Sequence, residues 1–256
     1  MSHDPVAIAR RAITLLDLTE LGDAASDDDV ISLCERATGP HGDVAAVCVW
    51  PRHVALAVER LWGTSVRIAT VVNFPSGDEP VDDVVAMTRQ ALADGADEID
   101  LVLPHHAFAS GDDAAAAEMV DAVRAVVPHD SHALKVILET GELVDPALIH
   151  RAAQLAVDHG ADFIKTSTGK TPRSATLEAT AVMLAVIHDT DRPVGLKPSG
   201  GIRTLDDATH YVLQADEVMG EGWATPTTFR FGASGLLTAL LAAVEGDAGV
   251  TSTEAY

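Results

Sequence analysis

The chain has 256 residues, 47% of them hydrophobic, and a formal net charge of −22. That length suits one large domain or two small ones, and the charge opposes binding to nucleic acid or anionic lipid, so a phosphate ligand must find a local positive pocket. No apolar run reaches the roughly 20 residues of a membrane span, and Met1–Arg11 lacks a hydrophobic signal core; the expected compartment is the cytoplasm.

Aspartates outnumber glutamates 26 to 13, and lysine is nearly absent. Adaptation to high salt and a codon bias toward Ala, Asp and Arg both produce this pattern. Cys34 and Cys48 lack metal-ligand spacing and are expected as free thiols.

Short apolar runs alternate with longer helical patterns along the chain. A strand is expected at Leu15–Leu18, followed by a helix at Asp28–Ala37. Strands at Val44–Trp50, Arg67–Phe74 and Glu98–Pro104 precede helices at Arg52–Trp62, Val81–Asp94 and Asp113–Val126. The pattern continues with strand Ala133–Thr140, helix Pro146–His159, strand Phe163–Thr168 and helix Thr176–Asp189. Strands at Val194–Pro198 and Thr228–Ala233 complete it. Alternation implies parallel strands joined by crossovers, and eight units favour a single-domain α/β fold, a closed (β/α)8 TIM barrel, over an open doubly wound sheet. No Gly-x-Gly-x-x-Gly follows the first strand, which weakens a dinucleotide fold. The barrel is expected over residues 1–245, with residues 246–256 as a small, polar, mobile tail.

Gly95-Ala-Asp-Glu-Ile-Asp100 echoes Gly160-Ala-Asp-Phe-Ile-Lys165 and aligns Asp100 with Lys165. Glycine at a helix C-terminus explains the glycines but not the matched charges.

Only four lysines occur: Lys135, Lys165, Lys170 and Lys197. Three sit inside apolar strands, where a soluble protein rarely puts them. Strand side chains alternate faces with period two. Lys135, Lys165 and Lys197 therefore oppose apolar neighbours that face the helices, as do Asp17, Asp100 and Glu139. All six charges are expected to point into the barrel, three of each sign. Six inward charges are an expensive way to stabilise a core, so the cluster reads as an active site. A free lysine has a pKa of roughly 10.4 and is almost wholly protonated at neutral pH. Burial and a neighbouring cation lower that value, and a neutral amine in such a pocket would attack a carbonyl to form a Schiff base.

Three glycine-rich turns follow the last three strands: Thr168-Gly169-Lys170, Ser199-Gly200-Gly201-Ile202-Arg203 and Gly232-Ala233-Ser234-Gly235. Glycine lets backbone N–H groups approach an anion, a following helix adds a favourable dipole, and barrels place phosphate there.

These residues resemble the 2-deoxyribose-5-phosphate aldolase family of class I, Schiff-base aldolases. The matching segments include Leu16-Asp-Leu-Thr19, Arg67-Ile-Ala-Thr-Val-Val-Asn-Phe-Pro75, Leu134-Lys-Val-Ile-Leu-Glu-Thr-Gly-Glu-Leu143 and Ala161-Asp-Phe-Ile-Lys-Thr-Ser-Thr-Gly-Lys170. Gly195-Leu-Lys-Pro-Ser-Gly-Gly-Ile-Arg203 and Phe229-Arg-Phe-Gly-Ala-Ser234 complete the set. The resemblance implies reversible aldol joining of acetaldehyde and glyceraldehyde 3-phosphate. It makes Lys165 the Schiff-base lysine, with Lys197 lowering its pKa and Asp100 helping proton transfer through a water. Lys135 and Asp17 complete the polar network. Thr168, Gly169, Lys170, Gly200, Gly201, Arg203, Gly232 and Ser234 are implied to hold phosphate. The family also ends in a tyrosine that assists proton transfer at the acetaldehyde carbon, which casts Tyr256 in that role. No metal and no cofactor are implied; the partner is a small phosphorylated sugar, and a homodimer is left open. Gly235 stands where some relatives carry a second serine, which removes one hydroxyl. His105 and His106 depart from the familiar pattern and read as an exposed polar loop.

Other readings stand beside this one. A transaldolase-like enzyme would share the Schiff base and differ in substrate. A metal-dependent barrel would draw on the eleven histidines, but no His-x-His strand pair or His-Glu-x-x-His segment is present. A catalytically silent sugar-phosphate binder would bind ligand without forming a reducible adduct.

Overall fold

Closure of the sheet decides which side chains meet in this chain. The computed structural model describes residues 4–246. Helix α1 (Pro5–Thr14) comes first, and eight strands follow: β1 (Leu16–Glu20), β2 (Ala46–Val49), β3 (Arg67–Val72), β4 (Glu98–Val102), β5 (Ala133–Ile137), β6 (Phe163–Lys165), β7 (Gly195–Lys197) and β8 (Phe231–Ala233). Between and after them lie α2 (Asp27–Arg36), a 3-10 turn at Pro51–His53 leading into α3 (Val54–Arg60), and α4 (Val81–Ala93). Then come α5 (His105–Ala109), α6 (Asp113–Arg124), α7 (Thr140–Leu143), α8 (Pro146–Asp158), α9 (Leu177–Asp189), α10 (Leu205–Met219) and α11 (Leu236–Glu245).

The strands pair in parallel in the order β7-β6-β5-β4-β3-β2-β1-β8. Isolated parallel bridges Leu196↔Phe229 and Ser199↔Gly232 span the remaining seam. There the Leu196 N–H donates to the Thr228 carbonyl and the Arg230 N–H to the Leu196 carbonyl, both at 2.9 Å. The chain is thus a (β/α)8 barrel. Among the described residues no helix is long and apolar enough to cross a membrane.

Period-two alternation sorts the walls. Leu16, Leu18, Ile99, Leu101, Leu134, Val136, Ile164 and Leu196 face outward and join one core with the helices. Ala46, Cys48, Ala69, Val71, Val102 and Ile137 face inward and form a separate apolar cluster with Leu21 and Phe74. The charged residues occupy the rest of the interior, and small inward residues leave room for their long stems.

The internal echo has a structural reason. Asp97 accepts the Ile68 N–H and Asp162 the Leu134 N–H, each at 2.8 Å. Each aspartate therefore ties the base of its strand to the strand before it.

Some expected elements change length. The fifth strand stops at Ile137, short of Thr140, because Glu139 adopts a left-handed φ of 55° and ends the alternation. Helices α1, α10 and α11 are not singled out from sequence. α11 is apolar except at the exposed Thr238 and Glu245 and packs against α1 and α10, so it shows only a thin polar stripe. Arg11 pins α1 to α10 through Asp216, with N–O distances of 2.5 and 2.8 Å. The expected tail begins at Gly246, which closes α11 in a left-handed conformation; the rest of it, Tyr256 included, lies outside the described residues.

Gly195 shows how tightly the barrel base is filled. A Cβ there would stand 2.3 Å from the Phe163 ring. Gly195→Ala is expected to cost roughly 1–3 kcal/mol of stability by overpacking. A lower denaturant midpoint at unchanged slope would register it, and an unchanged midpoint would show that the ring moves aside freely.

Candidate active site

Register brings Asp100 of β4 opposite Lys135 of β5, and Lys165 of β6 opposite Lys197 of β7. Their side chains converge inside the barrel and are fully buried or nearly so. The Asp100 carboxylate takes Lys135 on one oxygen at 2.8 Å. Its other oxygen takes Lys165 at 2.9 Å and Lys197 at 2.8 Å. Asp17 of β1 accepts from Lys197 at 2.5 Å and lies 3.3 Å from Lys135. The structure thus brings together Asp17, Asp100, Lys135, Lys165 and Lys197.

Glu139 does not join them. Its left-handed backbone turns the carboxylate to the loop after β6, where it accepts from the Thr168 hydroxyl at 2.5 Å and the Thr168 N–H at 3.2 Å. The expected tally of three charges on each side is therefore corrected. Two residues missed from sequence replace Glu139. Glu98 lies two positions before Asp100 and so shares its face; it contacts Lys135 at 2.6 Å. Arg230, between Phe229 and Phe231, forks onto Asp17 at 2.6 Å and onto Glu98 at 2.9 Å. Period two on β4 points to Glu98, and a lone cation between two inward-excluded aromatics points to Arg230.

The cluster holds four basic groups, Lys135, Lys165, Lys197 and Arg230, against three acidic ones, Asp17, Glu98 and Asp100. Fully ionised it would carry one uncompensated positive charge in a dry interior, which is costly. Loss of one proton removes that cost, and the bonding says from where. Lys135 faces three carboxylates; Lys197 and Arg230 face two each; Lys165 faces only Asp100. Burial pushes the Lys165 amine below its usual value; Asp100 pulls the other way, and the Lys197 charge adds to the depression. Burial also acts on Lys135 and Lys197, but Asp100 with Glu98 or Asp17 outweighs it and holds both above the usual range. Burial would raise Asp17 and Asp100, yet the surrounding cations hold both far below it. Of the three buried lysines, Lys165 is the one whose charged form is held least strongly. Cys48 also faces this space, its thiol pushed up to about 11 by burial and then by Asp100.

At the C-terminal ends of β7 and β8, Gly200, Gly201, Ile202, Arg203, Gly232, Ala233, Ser234 and Gly235 line a small recess. Gly200 and Gly201 both sit at φ 80°, and a Cβ on Gly200 would meet the Ser174 hydroxyl at 2.6 Å and the Gly169 Cα at 3.3 Å. The two helix starts beside the recess differ. α10 is already closed by a capping box: the Thr204 hydroxyl accepts the Asp207 N–H, and the Asp207 carboxylate accepts the N–H groups of Thr204 and Arg203, each at 3.0 Å. α11 begins at Gly235 with no side-chain cap, which leaves its N–H groups and dipole for an anion. Thr168 and Lys170 lie outside this lining. The Thr168 hydroxyl is engaged by Glu139, and the Lys170 ammonium sits 2.9 Å from the exposed Asp23.

His105 and His106 are not an exposed loop. They open α5, where His105 is buried against the Leu103 carbonyl at 3.2 Å and only His106 meets solvent. Nearer the lysines, the buried Ser167 and Ser199 hydroxyls have no protein partner. Ser199 fills the space a Cβ on Gly232 would take, 2.5 Å from that position, next to the Lys197 stem. Both cysteines are free, and among the described residues no group of three or more His, Cys, Asp or Glu is arranged to hold a metal.

Comparison with known proteins agrees with this geometry. Residues 11–240 match the profile of the DeoC/LacD family aldolases. A curated deoxyribose-phosphate aldolase from Agrobacterium fabrum is 50% identical over 254 residues, covering 98% of this chain and 97% of that protein. A crystal structure of a candidate deoxyribose-phosphate aldolase from Coccidioides immitis superposes with a TM-score of 0.80 at 30% identity, over 91% of this chain and 85% of that one. An apo structure of a candidate enzyme of the same kind from Toxoplasma gondii ME49 gives 0.86 at 26% identity, over 94% and 98%.

The charge count makes a checkable statement about Lys197. In Lys197→Leu the surplus cation is gone and Asp100 is shared only between Lys135 and Lys165, so the Lys165 amine should hold its proton to higher pH, by about one unit or more. Labelling by a small amine-reactive reagent across pH, mapped to the Lys165 peptide, reads the midpoint; an unmoved midpoint would remove Lys197 from this role.

Proposed function

The chain belongs to the DeoC/LacD family of aldolases, and on that premise we propose that it cleaves 2-deoxy-D-ribose 5-phosphate reversibly to acetaldehyde and D-glyceraldehyde 3-phosphate through a Schiff base on Lys165. The observation that carries this reading is the lysine with a single carboxylate partner in a cluster holding one cation too many. It lies in a barrel whose β7 and β8 turns form an anion recess.

The neutral Lys165 amine attacks C1 of the open-chain sugar, and loss of water leaves an iminium. The C3 hydroxyl gives up its proton as the C2–C3 bond breaks. The bonding pair flows into the iminium to form an enamine, and C3 becomes the aldehyde of glyceraldehyde 3-phosphate. The enamine carbon then takes a proton, and water releases acetaldehyde and restores Lys165. The iminium is the electron sink, so this route calls for no metal. Asp100, hydrogen-bonded to the Lys165 amine, is assigned proton transfer through a water. Lys197 keeps Lys165 neutral, and Lys135 with Asp17 fixes the carboxylates. Tyr256 is assigned the proton relay at the acetaldehyde carbon on the family resemblance alone.

Phosphate is assigned to the recess of Gly200, Gly201, Arg203, Gly232 and Ser234, with Gly169 beside it. Lys170 is assigned its outer edge, where phosphate would displace Asp23 from a solvent-exposed and therefore weak ion pair.

Reduction with borohydride in the presence of acetaldehyde, followed by peptide mapping, is expected to place the adduct on Lys165, and Lys165→Ala to lose nearly all turnover. An adduct on Lys135 or Lys197 would overturn the assignment of the nucleophile. Arg203→Ala and Lys170→Ala are expected to reduce kcat/KM at least tenfold more for deoxyribose 5-phosphate than for deoxyribose, about the worth of one charged hydrogen bond. Equal losses on the two sugars would assign these residues to the fold.

A further inference from the structure

We propose that Arg230, at the base of the barrel and away from the substrate recess, is the positioning residue that makes Lys165 the amine that gives up its proton. This rests on Lys165 being the nucleophile. Arg230 supplies the fourth cation of the cluster, and it is the one cation there that cannot relieve the surplus itself, because a guanidinium does not deprotonate in proteins. The surplus must be met by a lysine.

The bonding carries this effect to Lys165. Arg230 Nη1 holds one oxygen of Asp17 at 2.6 Å, while Lys197 takes the other at 2.5 Å. Arg230 Nη2 holds one oxygen of Glu98 at 2.9 Å, while Lys135 takes the other at 2.6 Å. Arg230 thus draws on two carboxylates that Lys197 and Lys135 would otherwise have to themselves. Both lysines lean on Asp100 instead, and Asp100 is the one carboxylate left to Lys165.

The guanidinium is locked in place. Nε donates to the Pro226 carbonyl, and the group lies over the Phe163 ring with Cζ 5.6 Å from its centre. Arg230, Glu98 and Phe163 border a cavity together with Arg67, His129 and His132, whose lining includes none of the phosphate-recess residues.

Every wall facing Lys165 enters the balance. β1 brings Asp17, β2 Cys48, β4 Asp100 and Glu98, β5 Lys135, β7 Lys197, and the stretch before β8 Arg230. β3 brings only Ala69 and Val71. Among the described residues of these walls, Asp17, Glu98 and Arg230 are the charged groups that touch neither Lys165 nor Asp100; Asp17 and Glu98 bond lysines that do touch Asp100, and Arg230 bonds both of those carboxylates.

Charge removal at these two residues must act in opposite directions. The readout is the pH midpoint of adduct formation on Lys165 with acetaldehyde and cyanoborohydride, mapped by peptide mass. In Arg230→Gln the midpoint should rise by about one pH unit or more, and in Glu98→Gln it should fall by a comparable amount. Arg230→Lys, which keeps the charge and loses the fork, should stay nearer the wild type than Arg230→Gln. Midpoints that do not move, or that move in the same direction in Arg230→Gln and Glu98→Gln, overturn the proposal, since a purely structural role predicts no opposed pair. Should Arg230→Gln fail to fold, Glu98→Gln decides alone: a downward shift supports the proposal, and an unmoved or upward one overturns it. A wild-type protein without a Lys165 adduct overturns the Schiff-base reading and this inference with it. A wild-type adduct with unmoved variant midpoints overturns this inference alone.

Discussion

The carboxylate of Asp100 accepts from three lysine ammonium or amine groups at once, and much of the barrel is arranged so that it can. Three long cationic stems reach one point only if the wall opposite them is thin. Ala46 and Ala69 supply that thinness on β2 and β3, and Gly195 and Gly232 supply it on β7 and β8. The sheet must also close, because Asp17 and Arg230 belong to the far side of the β7–β8 seam from Lys197. A side-chain network of this kind in a dry interior gains strength from low dielectric and is punished for any unpaired member by the same physics.

The division of labour along the barrel axis follows from where the helices begin. At the C-terminal end two helix starts border the recess, but Asp207 has already capped one of them. α11 begins with no side-chain cap at all, so the less satisfied helix start lies on the β8 side of the recess. Glu139, by bonding Thr168, ties the third glycine-bearing turn to the end of β5. In a protein of net charge −22, backbone dipoles and Arg203 can still give this recess a local positive potential.

Most of this was legible without coordinates because the barrel obeys period two. The same rule that turns Asp100 inward turns Glu98 inward, and Glu98 needed only to be counted. Arg230 is harder. It precedes the short β8, and its partners Asp17 and Glu98 lie 213 and 132 residues away in sequence, so its meaning appears only once the seam is closed. Glu139 failed for a local reason: one left-handed residue reverses the side to which a carboxylate points, and no periodicity announces it. His105 failed because a five-residue helix is too short to show a pattern. The helix α11 carries only Thr238 and Glu245 on its exposed side, too few to read as a stripe, because it packs against α1 and α10 elsewhere.

The placement of the lysines has a consequence outside catalysis. Aldehydes condense with whatever primary amines they can reach, and over time such adducts cross-link and discolour proteins. Of the four lysine side chains here, Lys135, Lys165 and Lys197 are no more than 2% exposed, and Lys170 is 20% exposed. A protein that releases a small volatile aldehyde thus offers that product scarcely any lysine outside the reaction chamber, which spares its surface from carbonyl damage by its own product. The same scarcity governs how the protein takes to a solid support: among its lysines an amine-directed resin would reach chiefly Lys170, whereas its abundant surface carboxylates offer many more points of attachment.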